Sequence, residues 1–268
     1  MTATILITGA TDGIGLETAK SLARQHHDVL LHGRSEQKLL AAEEAVRAVG
    51  GAGAVERFQA DLSDLDNVER LAAEVAGRER LDVLINNAGV FRVPNTVAAN
   101  GLDVRFMVNT VAPYVLTRRL VPLLQPEGRV VNLSSAAQAP VDGAGLTGRM
   151  PLDDGAAYAQ SKLALTMWSR HLADELGAHG PTVIAVNPGS FLGTKMVKDA
   201  YGTAGNDVEI GVDILTRAAT SAEFAQASGR YFDNDARRFA DPHPDALDPH
   251  KNSAIVDLIE SSIAAIAT

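Results

Sequence analysis

The 268-residue sequence contains no cysteine, and this absence excludes disulfide bonds, thiolate nucleophiles and cysteine-ligated zinc. It also lacks any basic run, and its net charge of −9 argues against binding to nucleic acid or to an anionic membrane. No basic segment or long apolar stretch precedes Thr4, so we expect no signal peptide and no membrane anchor. The seven histidines show no metal-ligand spacing, so no metal is expected. These absences favour a cytoplasmic protein.

The chain is rich in apolar residues, which make up 46% of it and suffice for one large core over 1–268. Short apolar runs alternate with longer amphipathic segments. The runs predicted as strands are Thr4–Thr8, Asp28–His32, Val55–Ala60, Leu81–Asn86, Gly128–Ser134, Thr182–Asn187 and Arg230–Phe232. Their continuous apolarity favours a parallel sheet covered on both faces. The pattern predicts an α/β fold of one domain: a doubly wound, mainly parallel, seven-stranded Rossmann sheet with helices on both faces.

The amphipathic segments predict helices that separate these strands. They are Ile14–Gln25, Glu36–Val49, Leu65–Val75, Val104–Leu124 with a bend near Pro113, Ala156–Ala178 and Ser253–Ile266. Residues 136–157 are rich in Gly, Ala, Pro and Asp, which predicts a mobile loop and no regular element. Residues from about 190 to 220 predict a loop-rich segment with short helices. We expect both segments to border the substrate.

The first strand runs into a glycine loop, Thr8-Gly9-Ala10-Thr11-Asp12-Gly13-Ile14-Gly15. Glycines between a strand and a helix allow a tight turn, close approach of a pyrophosphate and close helix packing. The following helix N-terminus offers free N–H groups to phosphates. A loop of small residues without a ligand is the alternative. The motif T-G-x-x-x-G-I-G resembles the signature of the short-chain dehydrogenase/reductase family, which implies that Gly9, Thr11, Asp12, Gly13, Ile14 and Gly15 border a nicotinamide dinucleotide.

The end of the second strand, His32-Gly33-Arg34-Ser35, bears on the choice of cofactor. An acid that would bind the ribose hydroxyls of NAD is missing, because Gly33 stands there. A guanidinium at Arg34 can pair with a 2′-phosphate and stack on the adenine, with Ser35 beside it. We therefore favour NADP(H), with NAD(H) as the alternative. Asp12 speaks against this choice, since many NADP-preferring relatives carry a basic residue there.

Two further motifs match the family in order along the chain. Asp61-Leu62 follows the third strand, where the resemblance implies contact with adenine; a helix cap at Asp61 or Ser63 is the alternative. The fourth strand ends in Asn86-Asn87-Ala88-Gly89, and the resemblance places Asn87, Ala88 and Gly89 against the adenosine ribose. A plain turn is the alternative.

Tyr158 and Lys162 lie four residues apart at the start of a predicted helix, so their side chains share one face. A nearby ammonium favours the phenolate, so we expect Lys162 to lower the pKa of Tyr158. A phenol tuned in this way can exchange a proton with a carbonyl oxygen. Lys162 can also hold a ribose hydroxyl. Because Tyr-x-x-x-Lys arises readily by chance, a surface pair is the alternative, and only the context makes the pair specific.

That context is a strand ending in Ser134-Ser135 and a helix containing Asn109. The resemblance implies that Ser135 binds the substrate oxygen, with Ser134 as the fallback. It also implies that Asn109 holds a water in a proton relay from the lysine. A polar residue on the helix surface is the alternative for Asn109.

After the sixth strand, Asn187-Pro188-Gly189-Ser190-Phe191 matches the family segment that faces the nicotinamide. The resemblance implies contacts from Pro188 and Gly189 and from the backbone of Phe191 to the carboxamide. Thr194 stands one position later than the usual phosphate-binding threonine. The tail, Gly229-Arg230-Tyr231-Phe232 onward, resembles the retinol-dehydrogenase-like and WW-domain-oxidoreductase-like branch, of which this chain would be a soluble member.

The motifs together predict an NAD(P)-dependent oxidoreductase that interconverts an alcohol and a carbonyl compound, the latter apolar in view of the pocket residues. A catalytically silent NADP-binding regulator is the alternative, although such proteins usually lose the tyrosine or lysine. A sugar-nucleotide epimerase or dehydratase would need more chain after Pro188. The resemblance also implies a homodimer or homotetramer formed through the long helices at 104–124 and 156–178.

Overall fold

A computed structural model describes residues 2–51 and 53–266. Eight strands form one sheet with the order β3-β2-β1-β4-β5-β6-β7-β8, in which every pair is parallel except β7 with β8. The strands are β1 Thr4–Ile7, β2 Asp28–Gly33, β3 Val55–Gln59, β4 Leu81–Asn86, β5 Leu124–Leu133, β6 Thr182–Asn187, β7 Tyr231–Asp233 and β8 Arg238–Ala240. The predicted doubly wound α/β fold is confirmed, and the sheet is one strand longer than the seven expected. The extra strand β8 is only three residues long and lacks an apolar run that would signal it.

The helices connect these strands and cover both faces of the sheet. They are α1 Gly13–Arg24, α2 Glu36–Ala48, α3 Leu65–Ala76, α4 Val104–Phe106, α5 Ala112–Leu120, α6 Gly143–Leu146, α7 Asp154–Leu176, α8 Lys195–Tyr201, α9 Glu209–Thr220 and α10 Pro249–Ile266. Within 2–51 and 53–266, no helix combines the length and apolarity needed to cross a membrane.

The sheet separates two apolar cores because successive side chains of a strand point to opposite faces. In β1, Leu6 enters the core that α3, α5, α7 and α10 cover, and Ile5 and Ile7 enter the one covered by α1, α2 and α9. All three side chains have no exposed surface. This double coverage explains why the strands read as continuous apolar runs. The chain winds from β1 towards β3 and then from β4 towards β8, so a crevice opens at the carboxyl ends of β1 and β4.

The helix predicted over Val104–Leu124 is irregular in a different place from that expected. A π-helical turn, Met107–Val111, separates α4 from α5, and Pro113 sits in the first turn of α5, where its missing N–H costs nothing. The irregularity of this helix thus lies in a π turn that ends two residues before Pro113, and a bend near Pro113 stays a prediction.

The segment expected to lack regular structure contains some, and the segment expected to hold short helices holds one longer than expected. Residues 136–157 include α6 and the start of α7, Leu146 is fully buried, and the Asp142 N–H donates to Gln160 Oε1 at 2.9 Å. The expectation of a mobile loop without an element is wrong, since these contacts anchor it to the fold. Between 190 and 220, α9 is a full 12-residue helix whose Ile214 and Leu215 lie in the core.

The C-terminal helix α10 covers α7. It contributes Ile255, Val256 and Ile259 to the core, and Glu260 accepts a hydrogen bond of 2.7 Å from the Tyr114 hydroxyl of α5. Every residue of α7 from 161 to 169 is buried within the chain. The apolar faces of the two long helices are therefore largely covered within the chain, and the predicted association through them stays a prediction.

Candidate active site

The glycine loop between β1 and α1 has the shape that a dinucleotide site needs. Gly9 and Gly13 have φ of +66° and +53°, the left-handed region that favours glycine. Gly15 is needed for space, because a Cβ there would lie 2.3 Å from the Gly9 carbonyl oxygen. Asp12 caps α1, and its carboxylate accepts a hydrogen bond from the Gly13 N–H at 2.8 Å. The helix N-terminus, with its partial positive charge, therefore begins at the loop.

Residues from distant parts of the sequence hold this loop. Asn87 Nδ2 donates to the carbonyl oxygens of Thr8 and Gly9 at 2.8 and 3.1 Å. The Ala88 N–H donates to Thr8 Oγ1 at 3.0 Å. The methyl group of Thr194 lies 3.4 Å from where a Cβ of Gly13 would stand. The predicted residues Asn87, Ala88 and Thr194 thus lie against the glycine loop.

The end of β2 has little space for a side chain at position 33. A Cβ at Gly33 would lie 2.5 Å from the methyl group of Thr11. Arg34 is exposed, and within 2–51 and 53–266 its guanidinium has no ion-pair partner. Ser35 caps α2 by accepting a hydrogen bond from the Lys38 N–H at 3.5 Å. The unpaired Arg34 guanidinium therefore lies where the sequence predicts the adenosine end of the cofactor site.

Asp61 and Leu62 are neighbours in sequence, but the first side chain is exposed and the second is buried. The Asp61 carboxylate accepts hydrogen bonds from the N–H and hydroxyl of Ser63 at 2.9 and 2.8 Å and stays exposed at the sheet edge. The Leu62 side chain is buried in the core, so only its main chain can border a ligand. Asp64 caps α3, and the alternative of a cap at Asp61 or Ser63 is therefore wrong.

His32, which sequence reasoning did not single out, joins the ends of three neighbouring strands. Its Nδ1 accepts a hydrogen bond from the Gly9 N–H at 3.2 Å, and its Nε2 lies 3.1 Å from the Ala60 carbonyl oxygen. These partners require a neutral ring protonated at Nε2. Burial lowers the pKa of His32 to about 4. A neutral histidine therefore fixes the first glycine of the loop to β2 and β3.

Ser135, Tyr158 and Lys162 come together where β5 ends and α7 begins. The Ser135 side chain lies close enough to the Tyr158 phenol to act on its pKa, which it lowers. Lys162 Nζ lies 5.6 Å from the centre of the Tyr158 ring and donates to the Leu133 carbonyl oxygen at 2.7 Å. The hydroxyl of Ser134 points elsewhere, to Thr166 Oγ1 at 2.7 Å. The structure therefore favours Ser135 over the fallback Ser134.

Burial dominates the proton affinities of this cluster. It raises the pKa of Tyr158, and the hydrogen bond from Ser135 opposes this only in part. Burial also lowers the pKa of Lys162 to about 8. The expected lowering of the tyrosine pKa by the lysine is thus wrong for the groups of this chain alone. A phenol with a raised pKa holds its proton at neutral pH and is suited to donate it.

Asn109 lies in the π-helical turn and binds the segment after β4. Its Oδ1 accepts from the Val90 N–H at 2.8 Å, and its Nδ2 donates to the Val90 carbonyl oxygen at 2.9 Å and to Ser161 Oγ at 3.0 Å. A Cβ at Gly89 would lie 3.4 Å from both Asn109 Oδ1 and Lys162 Nζ. The carboxamide therefore fixes the main chain at Val90 to α7 beside the lysine, and its role in a water relay stays a prediction.

A buried arginine joins the starts of the two helices that carry these residues. Arg105 donates to Asp103 in front of α4, to Asp154 Oδ1 at 2.7 Å in α7 and to the Leu152 carbonyl oxygen at 3.1 Å. Its side chain is only 1% exposed. No local pattern in the sequence indicates this network, because Asp154 and Leu152 lie 49 and 47 residues from Arg105.

Aromatic rings line the approach to Tyr158. Phe91 packs edge-on against the Tyr158 ring with centroids 5.1 Å apart, and Tyr201 of α8 lies 5.8 Å beyond Phe91. Phe191 contacts Tyr201 at 5.2 Å and has φ of +52°. Phe91, which the sequence did not indicate, follows directly on the Asn-Asn-Ala-Gly motif and Val90, so its position beside that motif was the available signal.

Comparison with known proteins agrees with this geometry. The family model described as short chain dehydrogenase matches residues 3–204. Human retinol dehydrogenase 13 is 31% identical, over 91% of this chain and 80% of its own. A crystal structure of a Mycobacterium paratuberculosis protein has a TM-score of 0.80 at 28% identity, over 97% of this chain and 92% of that one.

A short chain dehydrogenase of Shigella flexneri 2a, solved in complex with NADP, has a TM-score of 0.68 at 29% identity, over 87% of this chain and 97% of that one. The predicted family, its resemblance to retinol dehydrogenases and the predicted enzyme class are confirmed. This chain belongs to the short-chain dehydrogenase/reductase family and is an NAD(P)-dependent oxidoreductase.

Proposed function

We propose that the protein interconverts an apolar carbonyl compound and its alcohol with NADP(H), and that Tyr158 is the general acid and base. The observation that carries the proposal is the convergence of Ser135, Tyr158 and Lys162 at the carboxyl end of β5. Carboxyl ends of strands are where ligands bind in open α/β sheets.

The residues around the crevice fit a nicotinamide dinucleotide. The glycine loop would take the pyrophosphate, Asp61 and the main chain of Leu62 the adenine, and Asn87 to Gly89 the ribose side. Pro188, Gly189 and Phe191 would border the nicotinamide. The left-handed backbone at Gly9 and Gly13 and the N-terminus of α1 beside them support this assignment. When bound, the cofactor supplies or accepts the hydride.

NADP(H) is favoured over NAD(H) by two features. Arg34 is a free cation that can pair with a 2′-phosphate, and Gly33 cannot take an acidic side chain unless Thr11 moves. Asp12, whose carboxylate accepts a hydrogen bond from the Gly13 N–H, is the feature that speaks against this choice.

The three catalytic side chains would divide the proton chemistry between them. Tyr158 donates its proton to the carbonyl oxygen during reduction and takes it back during oxidation. Ser135 donates a hydrogen bond to the same oxygen and stabilises the charge that develops there. Burial lowers the pKa of Lys162 to about 8, so this amine would hold a ribose hydroxyl and return a proton to the phenol. Asn109 keeps Gly89 and Val90 in place beside the lysine.

An apolar substrate is supported by the rings of Phe91, Phe191 and Tyr201 beside the phenol. Phe191 and Tyr201 are 54% and 55% exposed, so apolar surface is available to a ligand. We propose that residues 136–157 and 190–220 form the walls of this pocket. That a 31% identical relative is named a retinol dehydrogenase agrees with an apolar substrate class.

The test is NADPH oxidation with a panel of apolar aldehydes, ketones and quinones, using the wild type and Tyr158→Phe. We expect turnover by the wild type, and a loss of at least about a hundredfold in kcat for the variant with NADPH affinity nearly unchanged. Tight NADPH binding without turnover of any compound would favour the regulatory alternative. An unchanged rate in Tyr158→Phe would refute the role of the phenol.

The cytoplasmic location and the dimer or tetramer inferred from the sequence also stay proposals. An association through the long helices would use their exposed residues, because α3 and α10 cover their apolar faces within the chain. Sedimentation of the purified protein and fractionation of the cells that make it test the two points.

A further inference from the structure

The turn between β7 and β8 lies against the segment that follows β6. The carboxylate of Asp235, in this turn, makes three hydrogen bonds to that segment. Oδ1 accepts from the Ser190 N–H at 2.9 Å, and Oδ2 accepts from Ser190 Oγ at 2.6 Å and from Asn187 Nδ2 at 2.9 Å. One side chain therefore binds both the main chain and the side chain of Ser190.

The neighbouring residue holds the other end of the same segment. Asn234 Nδ2 donates to the Pro188 carbonyl oxygen at 2.9 Å and to the Ile210 carbonyl oxygen at 3.1 Å. The Asn234 N–H donates to the Asn187 carbonyl oxygen at 3.2 Å. The path of the chain from Asn187 to Ser190 is thus dictated by two consecutive residues of the hairpin turn.

The contacts of this segment also bear on the backbone of Phe191, the next residue. Its φ of +52° is unfavourable for a residue with a Cβ and persists only where neighbouring contacts impose it. Asp235 already takes up both the N–H and the hydroxyl of Ser190. Among the described residues, none accepts a hydrogen bond from the Phe191 N–H. This N–H is left as the free donor of the segment.

The same hairpin also reaches the catalytic serine. The Tyr231 hydroxyl donates to the Ser135 carbonyl oxygen at 3.1 Å, and Gln138 Nε2 donates to the same oxygen at 2.9 Å. The matched family region ends at residue 204, so the hairpin lies outside it. A late part of the chain therefore contacts both the serine and the segment after β6.

We propose that Asp235 is a positioning residue, which orients the Phe191 N–H towards the nicotinamide end of the cofactor site without touching the reacting atoms. The inference rests on the proposed function, since it takes that end of the site to be used by the cofactor. Burial acts to raise the pKa of Asp235, but the hydrogen bonds from Ser190 and Asn187 outweigh it and the pKa lies below its usual range. Asp235 is thus charged at neutral pH, and its hydrogen bonds are charge-assisted.

The experiment compares Asp235→Asn with the wild type for two ligands. NADPH spans the whole site, and adenosine 2′,5′-bisphosphate spans the adenosine end alone. An amide at 235 replaces one of the two accepting oxygens by an NH2 group, so it cannot accept all three hydrogen bonds, and NADPH affinity should fall by about tenfold. Affinity for the bisphosphate should stay within about twofold. The deuterium isotope effect on kcat with NADPH labelled at the transferred position should rise, because a misplaced nicotinamide slows the hydride step.

Asp241→Asn is the matched control, because Asp241 is exposed and makes no hydrogen bond or ion pair with any described residue. It removes the same charge nearby and should leave both affinities unchanged. Ser190→Ala removes only the hydroxyl contact and should give a smaller loss, about threefold, for NADPH alone. If Asp235→Asn does not fold, the affinities of Ser190→Ala for NADPH and for the bisphosphate test the proposal in its place.

Equal losses for both ligands would overturn the proposal, as they would mean that Asp235 only supports the fold. No loss for NADPH in either variant would overturn it as well. Failure of the proposed function is separate from these results: it would appear as a wild type without turnover, and the comparison of the two ligands would still decide the role of Asp235.

Discussion

His32 predicts a specific acid sensitivity of the fold. The ring is buried and neutral, between the Gly9 N–H and the Ala60 carbonyl oxygen, and its pKa is about 4 in the folded protein against 6.5 when exposed. The unfolded chain therefore binds more protons between these two values, and stability must fall as the pH falls. At about 1.36 kcal/mol for each pKa unit, the full loss from this one group is about 3 kcal/mol.

Most of this loss in the free energy of unfolding falls in a pH range in which unfolding can be measured. Above about pH 6.5 the ring is neutral in both states and stability is fully present; between pH 8 and pH 5 about 2 kcal/mol should be lost through His32. The assay is urea unfolding over this range, followed by the fluorescence of Trp168, the single tryptophan, which is fully buried.

His32→Asn isolates the contribution of this ring. The amide oxygen can still accept from Gly9, but the donor to Ala60 is lost, so the variant should be about 1–3 kcal/mol less stable at pH 8. Its stability should then fall by about 2 kcal/mol less than that of the wild type on going to pH 5. His250→Asn, at an exposed position, should follow the wild type. If wild type and His32→Asn lost equal stability, the neutral buried ring would be refuted.

Three further substitutions test other parts of the site and its support. Arg34→Ala should weaken NADPH binding by about tenfold or more and NADH binding much less. Equal losses in titrations with the two cofactors would refute the NADP(H) assignment. Gly15→Ala would stabilise an ordinary helix by about 1 kcal/mol, but here the new Cβ meets the Gly9 carbonyl oxygen at 2.3 Å. We therefore expect lower thermal stability and loss of NADPH binding, and calorimetry showing a stabilised variant would contradict this. Arg105→Gln should cost about 3–5 kcal/mol in denaturant unfolding, because it leaves a buried carboxylate unpaired, whereas Arg119→Gln at an exposed pair should cost at most about 1 kcal/mol. Similar losses for the two arginine variants would show that the buried network is not strongly coupled.

The amino-acid sequence by itself determined the sheet, most of the helices and the family. Local signals sufficed there: continuous apolar runs mark strands buried on both faces, and glycines at 9, 13 and 15 answer needs of φ and space within one loop. Six of the predicted strands have observed counterparts whose ends agree within four residues. Only Arg230–Phe232 was extended by an unexpected hairpin, because β8 carries no apolar pattern of its own.

Only the tertiary structure decided which of the candidate residues act together. The sequence favoured Ser135 over Ser134 only through the family resemblance, since the physical difference lies in the direction of each hydroxyl relative to α7. It also gave no reason to single out His32 or Asp235. Their partners lie 23 to 48 residues away in the chain, and no periodic pattern reports contacts of that kind.

The burial of α7 was likewise decided by packing. A long helix such as α7 looks free to pair in the sequence, but its residues 161–169 become buried when α10 folds over it. Burial depends on what lies across a helix in space, and the helix's own sequence does not state this. The motifs therefore settle the family from local chemistry, whereas the long-range contacts of His32, Arg105 and Asp235 set the geometry in which those motifs operate.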